Sequence, residues 1–178
     1  SRLPTTAMAL MPVDPPNSKL DPTQLLVRNA EIQRACVAFA RRLTETAATP
    51  LQDYGVSIIT SVKRGKSAAR ARVELRERAR AFQDFVREKF NVPCVVGIGT
   101  QTPPGDRLHE SHREAVLTLH MCVQLDQSIL FFDEHEAGDR FAYSALHKAS
   151  LALIDAFVRE NPAQIKLASD RYVGLVLM

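Results

Sequence analysis

Four short apolar runs alternate along this chain with three long stretches whose apolar residues recur every three or four positions. That alternation predicts strands separated by amphipathic helices, and so one sheet covered by helices. The runs are Ala7–Val13 (AMALMPV), Gly55–Val62 (GVSIITSV), Cys94–Ile98 (CVVGI) and Ile129–Phe132 (ILFF). The first helix is expected at Asp21-Pro22-Thr23, where Asp21 can cap and Pro22 suits a position that needs no N–H. Leu25, Asn29, Ile32, Cys36, Phe39 and Leu43 share its inner face, and Thr49-Pro50 is read as its end. A second helix is expected over Ala68–Phe90, with Leu75, Ala79, Phe82, Val86 and Phe90 inward and Asn91-Val92-Pro93 breaking it. The third runs from about Arg107 to Leu125, with Leu108, Ala115, Leu119 and Cys122 inward. Two more, Tyr143–Glu160 and Ala163–Met178, form a C-terminal helical hairpin. The expected order is β-α-β-α-β-α-β plus the hairpin, and periodicity leaves open a further strand between Leu43 and Val62.

Composition narrows the classes. A chain of 178 residues, 46% of them hydrophobic, suits one well-filled core. The net charge of +3 is too mild to imply nucleic-acid or membrane binding by itself. Cys36, Cys94 and Cys122 are odd in number and have no CxxC spacing. They are read as buried reduced thiols, which implies a cytoplasmic setting. No run reaches the length of a membrane span, and Ser1 opens no signal-peptide layout. The chain begins without Met and stops inside the apolar run Val173–Met178, as a piece of a longer protein is expected to.

Motif chemistry is sparse. His109 and His112 stand three apart at a helix start, whereas metal-binding helices favour a spacing of four, and no third ligand is nearby. A solvated helix start is the plainer reading. Gly97-Ile98-Gly99-Thr100 lacks the third glycine of a dinucleotide fingerprint. The basic run Lys63, Arg64, Lys66, Arg70, Arg72, Arg76, Arg78, Arg80 is the most unusual local feature. Glu74, Glu77 and Asp84 allow pairing within the helix, which makes a solvated face the default. The functional alternative is a partner surface built on Arg70, Arg72, Arg76 and Arg80.

The central block, AFQDFVREKF then NVPCVVGIGT, then LHESHREAVLTLHMCVQLDQ and ILFFDE, resembles the latter half of GGDEF domains. ALMPVDPPNSK sits where that family has its first strand and nucleotide-side loop, so the resemblance covers roughly Ala7 to Glu134. Glu114-Ala115 and Phe131-Phe132-Asp133-Glu134 are most similar to degenerate copies in bacterial AraC-type and PucR/CdaR-type transcription regulators. The resemblance implies an α/β (α+β) fold, a ferredoxin-like, GGDEF-like mixed sheet flanked by helices. Residues 1–140 would form the GGDEF-like domain, and 141–178 a helical extension serving as linker or dimerisation element within one compact unit.

The departures from that pattern bear on chemistry. The resemblance places the glycine-rich signature at Thr49-Pro50-Leu51-Gln52-Asp53-Tyr54, which has no paired glycine and one carboxylate. It places a metal-binding aspartate on the first strand, two residues before a second aspartate. If Asp14 matches the second, Pro12 replaces the first and offers no side-chain ligand. Metal-dependent cyclisation of a nucleoside triphosphate needs both the hairpin carboxylate and the metal-binding aspartate of the strand. Arg42-Leu43-Thr44-Glu45 lies near the family's Arg-x-x-Asp inhibition site, with Glu for Asp, and carries no weight. The expected function is therefore a non-enzymatic sensory or coupling domain of a bacterial transcription regulator. It would need no cofactor and no metal, form a homodimer, and act with a DNA-binding domain outside this chain. The alternative is a nucleotide or metabolite receptor whose remnant cleft uses Asp14, Asn17, Lys19 and Asp53. An enzyme of unrelated chemistry on the same sheet is a third class, supported by no residue cluster.

Overall fold

In a computed structural model, residues 4–14, 20–52, 55–62, 67–103, 107–134, 137–159 and 162–176 are described. The chain divides into two compact units, Ser1–Glu134 and His135–Met178. The first unit holds β1 (Thr5–Pro12), α1 (Pro22–Ala40), β2 (Thr46–Leu51), β3 (Gly55–Ser61), α2 (Ala68–Phe90), β4 (Cys94–Ile98), α3 (Leu108–Gln124) and β5 (Ile129–Phe131). The strands form one mixed sheet in the order β2-β3-β1-β4-β5. All neighbours are antiparallel except β4 and β5, which run parallel. Each of the units β1-α1-β2 and β3-α2-β4 leaves room for one strand between its own two, which is the split arrangement of a ferredoxin-like sheet. Then α3 carries the chain to β5 at one edge.

Side-chain alternation along β1 decides which helix lies where. Met8 and Leu10 point into a core shared with Ile32, Cys36 and Ala40 of α1 and Leu75, Ala79, Phe82 and Val86 of α2. Ala7 and Ala9 point the other way and meet Ala115 and Leu119 of α3. Large residues therefore fill the α1/α2 side, whereas small ones let α3 lie close to the sheet. Phe82 is fully buried, edge-on to Phe39 at 5.0 Å, and Phe39 stacks on Phe85 at 4.4 Å.

Local signals set the helix ends. Asp21 accepts the Gln24 N–H while the Gln24 side chain accepts the Asp21 N–H, a reciprocal capping box, with Pro22 in the first turn. Ser67 caps α2, and Asn91 ends it in the left-handed conformation at φ 53°. The bounds expected for α2 and β4 are those found.

The first helix is shorter than expected. It ends at Ala40, not at Thr49, and Thr46–Leu51 (TAATPL) is a strand paired along its length with β3. The chain turns at Arg41–Glu45, with Glu45 at φ 55°, and β2 becomes a sheet edge. Threonines favour a strand there, but an exposed edge needs little apolar bulk, so the segment lacks a strong strand pattern.

The second unit comprises α4 (Ala137–Val158) and α5 (Pro162–Val176), which pack on each other. The start of α4 precedes the expected Tyr143 by one and a half turns, because Gly138 and the charged pair after it read as loop. Among the described residues, no helix is long and apolar enough to cross a membrane.

Candidate functional site

The sheet brings the end of β1 beside the start of α1. Pro12 pairs with Cys94 of β4, and Val13 N–H donates to the Pro93 carbonyl, so the chain leaves the sheet at Asp14. Arg28, two turns into α1 from its cap, meets Asp14 as a fork. Nη1 donates to Oδ1 at 2.5 Å and Nη2 to Oδ2 at 2.8 Å. Both side chains are partly desolvated, at 16% and 30% exposure, which strengthens a bidentate pair. Hydrogen bonding to Arg28 holds the Asp14 carboxyl below the ordinary carboxylate range, against the opposing effect of burial. Of the other cleft candidates, Asn17, Lys19 and Asp53 lie outside the described residues.

Next to this end of the sheet, Gln33 organises the β2–β3 hairpin. Its Nε2 donates to the Gln52 carbonyl at 2.7 Å and to the Gly55 carbonyl at 2.9 Å. Gln52 sits at φ 45°, a left-handed conformation that favours glycine. Gln52 thus holds a glycine-like backbone without being glycine, and a buried amide from α1 binds the Gln52 and Gly55 carbonyls. Replacing Gln33 with leucine is expected to lower stability by about 1–3 kcal/mol, because two carbonyls lose a buried donor. Urea unfolding measures this, and an unchanged midpoint would show that the amide contributes nothing net.

The VGIGT segment fixes α3. An added Cβ at Gly97 would overlap the Ala115 carbonyl and the Leu119 nitrogen, and at Gly99 the Ser111 carbonyl. Glycine is needed here for close approach rather than for an unusual φ. Three polar contacts complete the seam. Ser111 Oγ accepts the Ala7 N–H at 3.0 Å, and Glu114 accepts from Thr100 N at 2.8 Å and Oγ1 at 2.5 Å.

The basic helix is largely committed within the fold. Arg72 pairs with Asp133 and with Glu134, and Arg76 with Glu134 at 3.2 Å. Both guanidinium groups lie over the Phe131 ring, at 4.9 and 5.2 Å from its centre. Arg78 bonds Glu74 at 2.8 Å and reaches the Thr60 hydroxyl of β3. Arg70 and Arg80 stand exposed. A cleft of about 430 Å³ lies along this helix, bordered by Arg72, Val73, Arg76, Arg80 and Glu134. A second, of about 390 Å³, is lined by Arg80, Gln83, Asp84, Arg87 and Ser128. Gln83 closes its floor by donating to the Cys94 and Ser128 carbonyls.

Among the described residues, no three His, Cys, Asp or Glu side chains converge. His109 is exposed on α3 and His112 half-buried. The three cysteines are free and buried, and burial pushes each thiol up to about 12, so they stay protonated at neutral pH. The divalent ion that the GGDEF resemblance implies would need carboxylate oxygens at the end of β1. The one carboxylate described there has both oxygens engaged by Arg28, and position 12 is proline.

Arg28 and Gln33 are the residues sequence reasoning missed. Gln33 does leave a trace, as a polar residue beside Ile32 on a mostly apolar face. Arg28 leaves none, since its partner lies across a turn fourteen residues away.

No curated protein matches the sequence. Among solved structures, the GGDEF domain of DgcB from Caulobacter crescentus, in complex with c-di-GMP, is similar at 12% identity and a TM-score of 0.46. The alignment covers 73% of this chain and 79% of that one. A putative amidohydrolase/peptidase from Burkholderia cenocepacia is similar at 14% identity and a TM-score of 0.28, over 72% of this chain and 34% of its own. Residues 4–121, which span β1 through most of α3, match the GGDEF-like domain profile, and the chain belongs to that family.

Proposed function

We propose that this chain is a non-catalytic signal-coupling domain of a cytoplasmic bacterial transcription regulator. The observation that carries the reading is Pro12 at the end of β1, which offers no side-chain ligand where the resemblance implies the metal-binding aspartate. Thr49–Tyr54, without paired glycines, supports it from the hairpin side. Phosphoryl transfer relies on a divalent cation to neutralise the phosphates and to lower the pKa of the attacking hydroxyl. Incubation with GTP and Mg²⁺, read by chromatography of the nucleotides, is expected to return unchanged GTP. Any metal-dependent turnover would overturn the reading.

The C-terminal unit is assigned the role of linker or dimerisation element, a second copy of the chain being its occupant. Leu151, Ile154 and Val158 recur at steps of three and four on α4 and are 53%, 58% and 76% exposed. Apolar rows of this kind mark contact surfaces. Light scattering is expected to report a dimer that Ile154→Glu converts to a monomer, whereas a monomeric parent protein removes this assignment.

A further inference from the structure

We infer that Arg72 and Arg76 form an ionic clasp on the last turn of the first unit, a latch that salt opens and that sets how much of the connection to α4 is held. The inference is independent of whether the chain turns over GTP. Asp133 and Glu134 end the first unit in a 3₁₀ turn, Phe132–Glu134, and α4 begins at Ala137. Both acids are taken by α2, about sixty residues earlier in the chain. Arg72 bonds to Asp133 and reaches Glu134 at 3.5 Å, and Arg76 reaches Glu134 at 3.2 Å. One half of the clasp is built in. The Phe131 ring is 3% exposed, and both guanidinium groups rest on its face, at 4.9 and 5.2 Å from its centre, so they keep their place when the acids leave. The other half is a single short turn at the end of a three-residue strand. All four charged side chains are 31% to 52% exposed, so each contact is weak and screened by salt. The latch is marginal by construction. With it closed, residues 135 and 136 alone lie between the turn and α4; with it open, the connection lengthens to 132–136.

Hydrogen exchange of the full chain tests this, read by mass spectrometry at about 0.1 M and about 1 M NaCl, between which the Debye length falls from about 10 to about 3 Å. The amides of 132–134 are expected to exchange about fivefold faster at the higher salt, the worth of about one exposed ion pair. Those of 79–86, inside α2, are expected to keep their rate. Asp133→Asn combined with Glu134→Gln leaves both arginines on the ring and is expected to give the fast rate at both salts. Arg72→Gln combined with Arg76→Gln is expected to match it. Should that pair fail to fold, the acid pair alone carries the test. A salt-independent rate at 132–134 in the wild type would overturn the proposal, as would an acid-neutralised variant that exchanges like the wild type at low salt. Equal quickening of 79–86 would also overturn it, because salt would then be loosening the whole unit.

Discussion

Replacing Phe82 with alanine is expected to lower the stability of the GGDEF-like unit by about 3–5 kcal/mol, the range for removing a buried aromatic ring. The ring is fully buried where α1, α2 and the sheet meet, and its edge-on contact with Phe39 holds the two helices together. Truncation would leave a void that neighbours on three elements cannot all fill. Thermal unfolding measures the loss, expected as a fall in Tm on the order of 10 °C. Phe82→Leu, which fills most of the volume, is expected to lose far less. Equal losses for both would mean that packing is not the cause.

Gly99→Ala is expected to cost about 3 kcal/mol or more although it adds a single methyl, at the upper end of overpacking penalties. The added carbon would fall onto the Ser111 carbonyl, a backbone atom inside a helix, which cannot rotate away. To make room, α3 must lift off the sheet, and lifting it strains the bond from Ala7 N–H to Ser111 Oγ and those from Thr100 to Glu114. Hydrogen exchange gives the specific readout, since the Ala7 and Thr100 amides should lose protection before those of α2. A neutral Gly99→Ala would show that α3 does not lie this close.

Parts of the fold with strong local signals were legible in the sequence. The bounds of α2 and β4 follow from a long apolar stripe, a breaker at Asn91-Val92-Pro93 and a β-branched run, none of which depends on tertiary context. β2 was not legible. TAATPL carries one large apolar residue, and its strand state comes from pairing with β3 rather than from its own pattern. The site divides in the same way. Asp14 stood out through its place after the first apolar run, whereas Arg28 and Gln33 gain meaning only from what crosses to meet them. The basic helix carries the same lesson. Arg78 and Arg87 find the near acids expected of a helix, Glu74 and Asp84. Arg72 and Arg76 instead bond to Asp133 and Glu134, about sixty residues on, where no sequence spacing points.

The two borders of the sheet have a consequence for how the protein keeps company. β2 carries Pro50, which has no N–H to offer a passing chain, and β5 is three residues long and runs directly into a 3₁₀ turn. Neither border gives a newcomer a row of free amides on which to lay down another strand. Growth of the sheet from one molecule into the next is therefore discouraged at both ends. Lasting association is left to helix surfaces, where side chains rather than backbone select the mate.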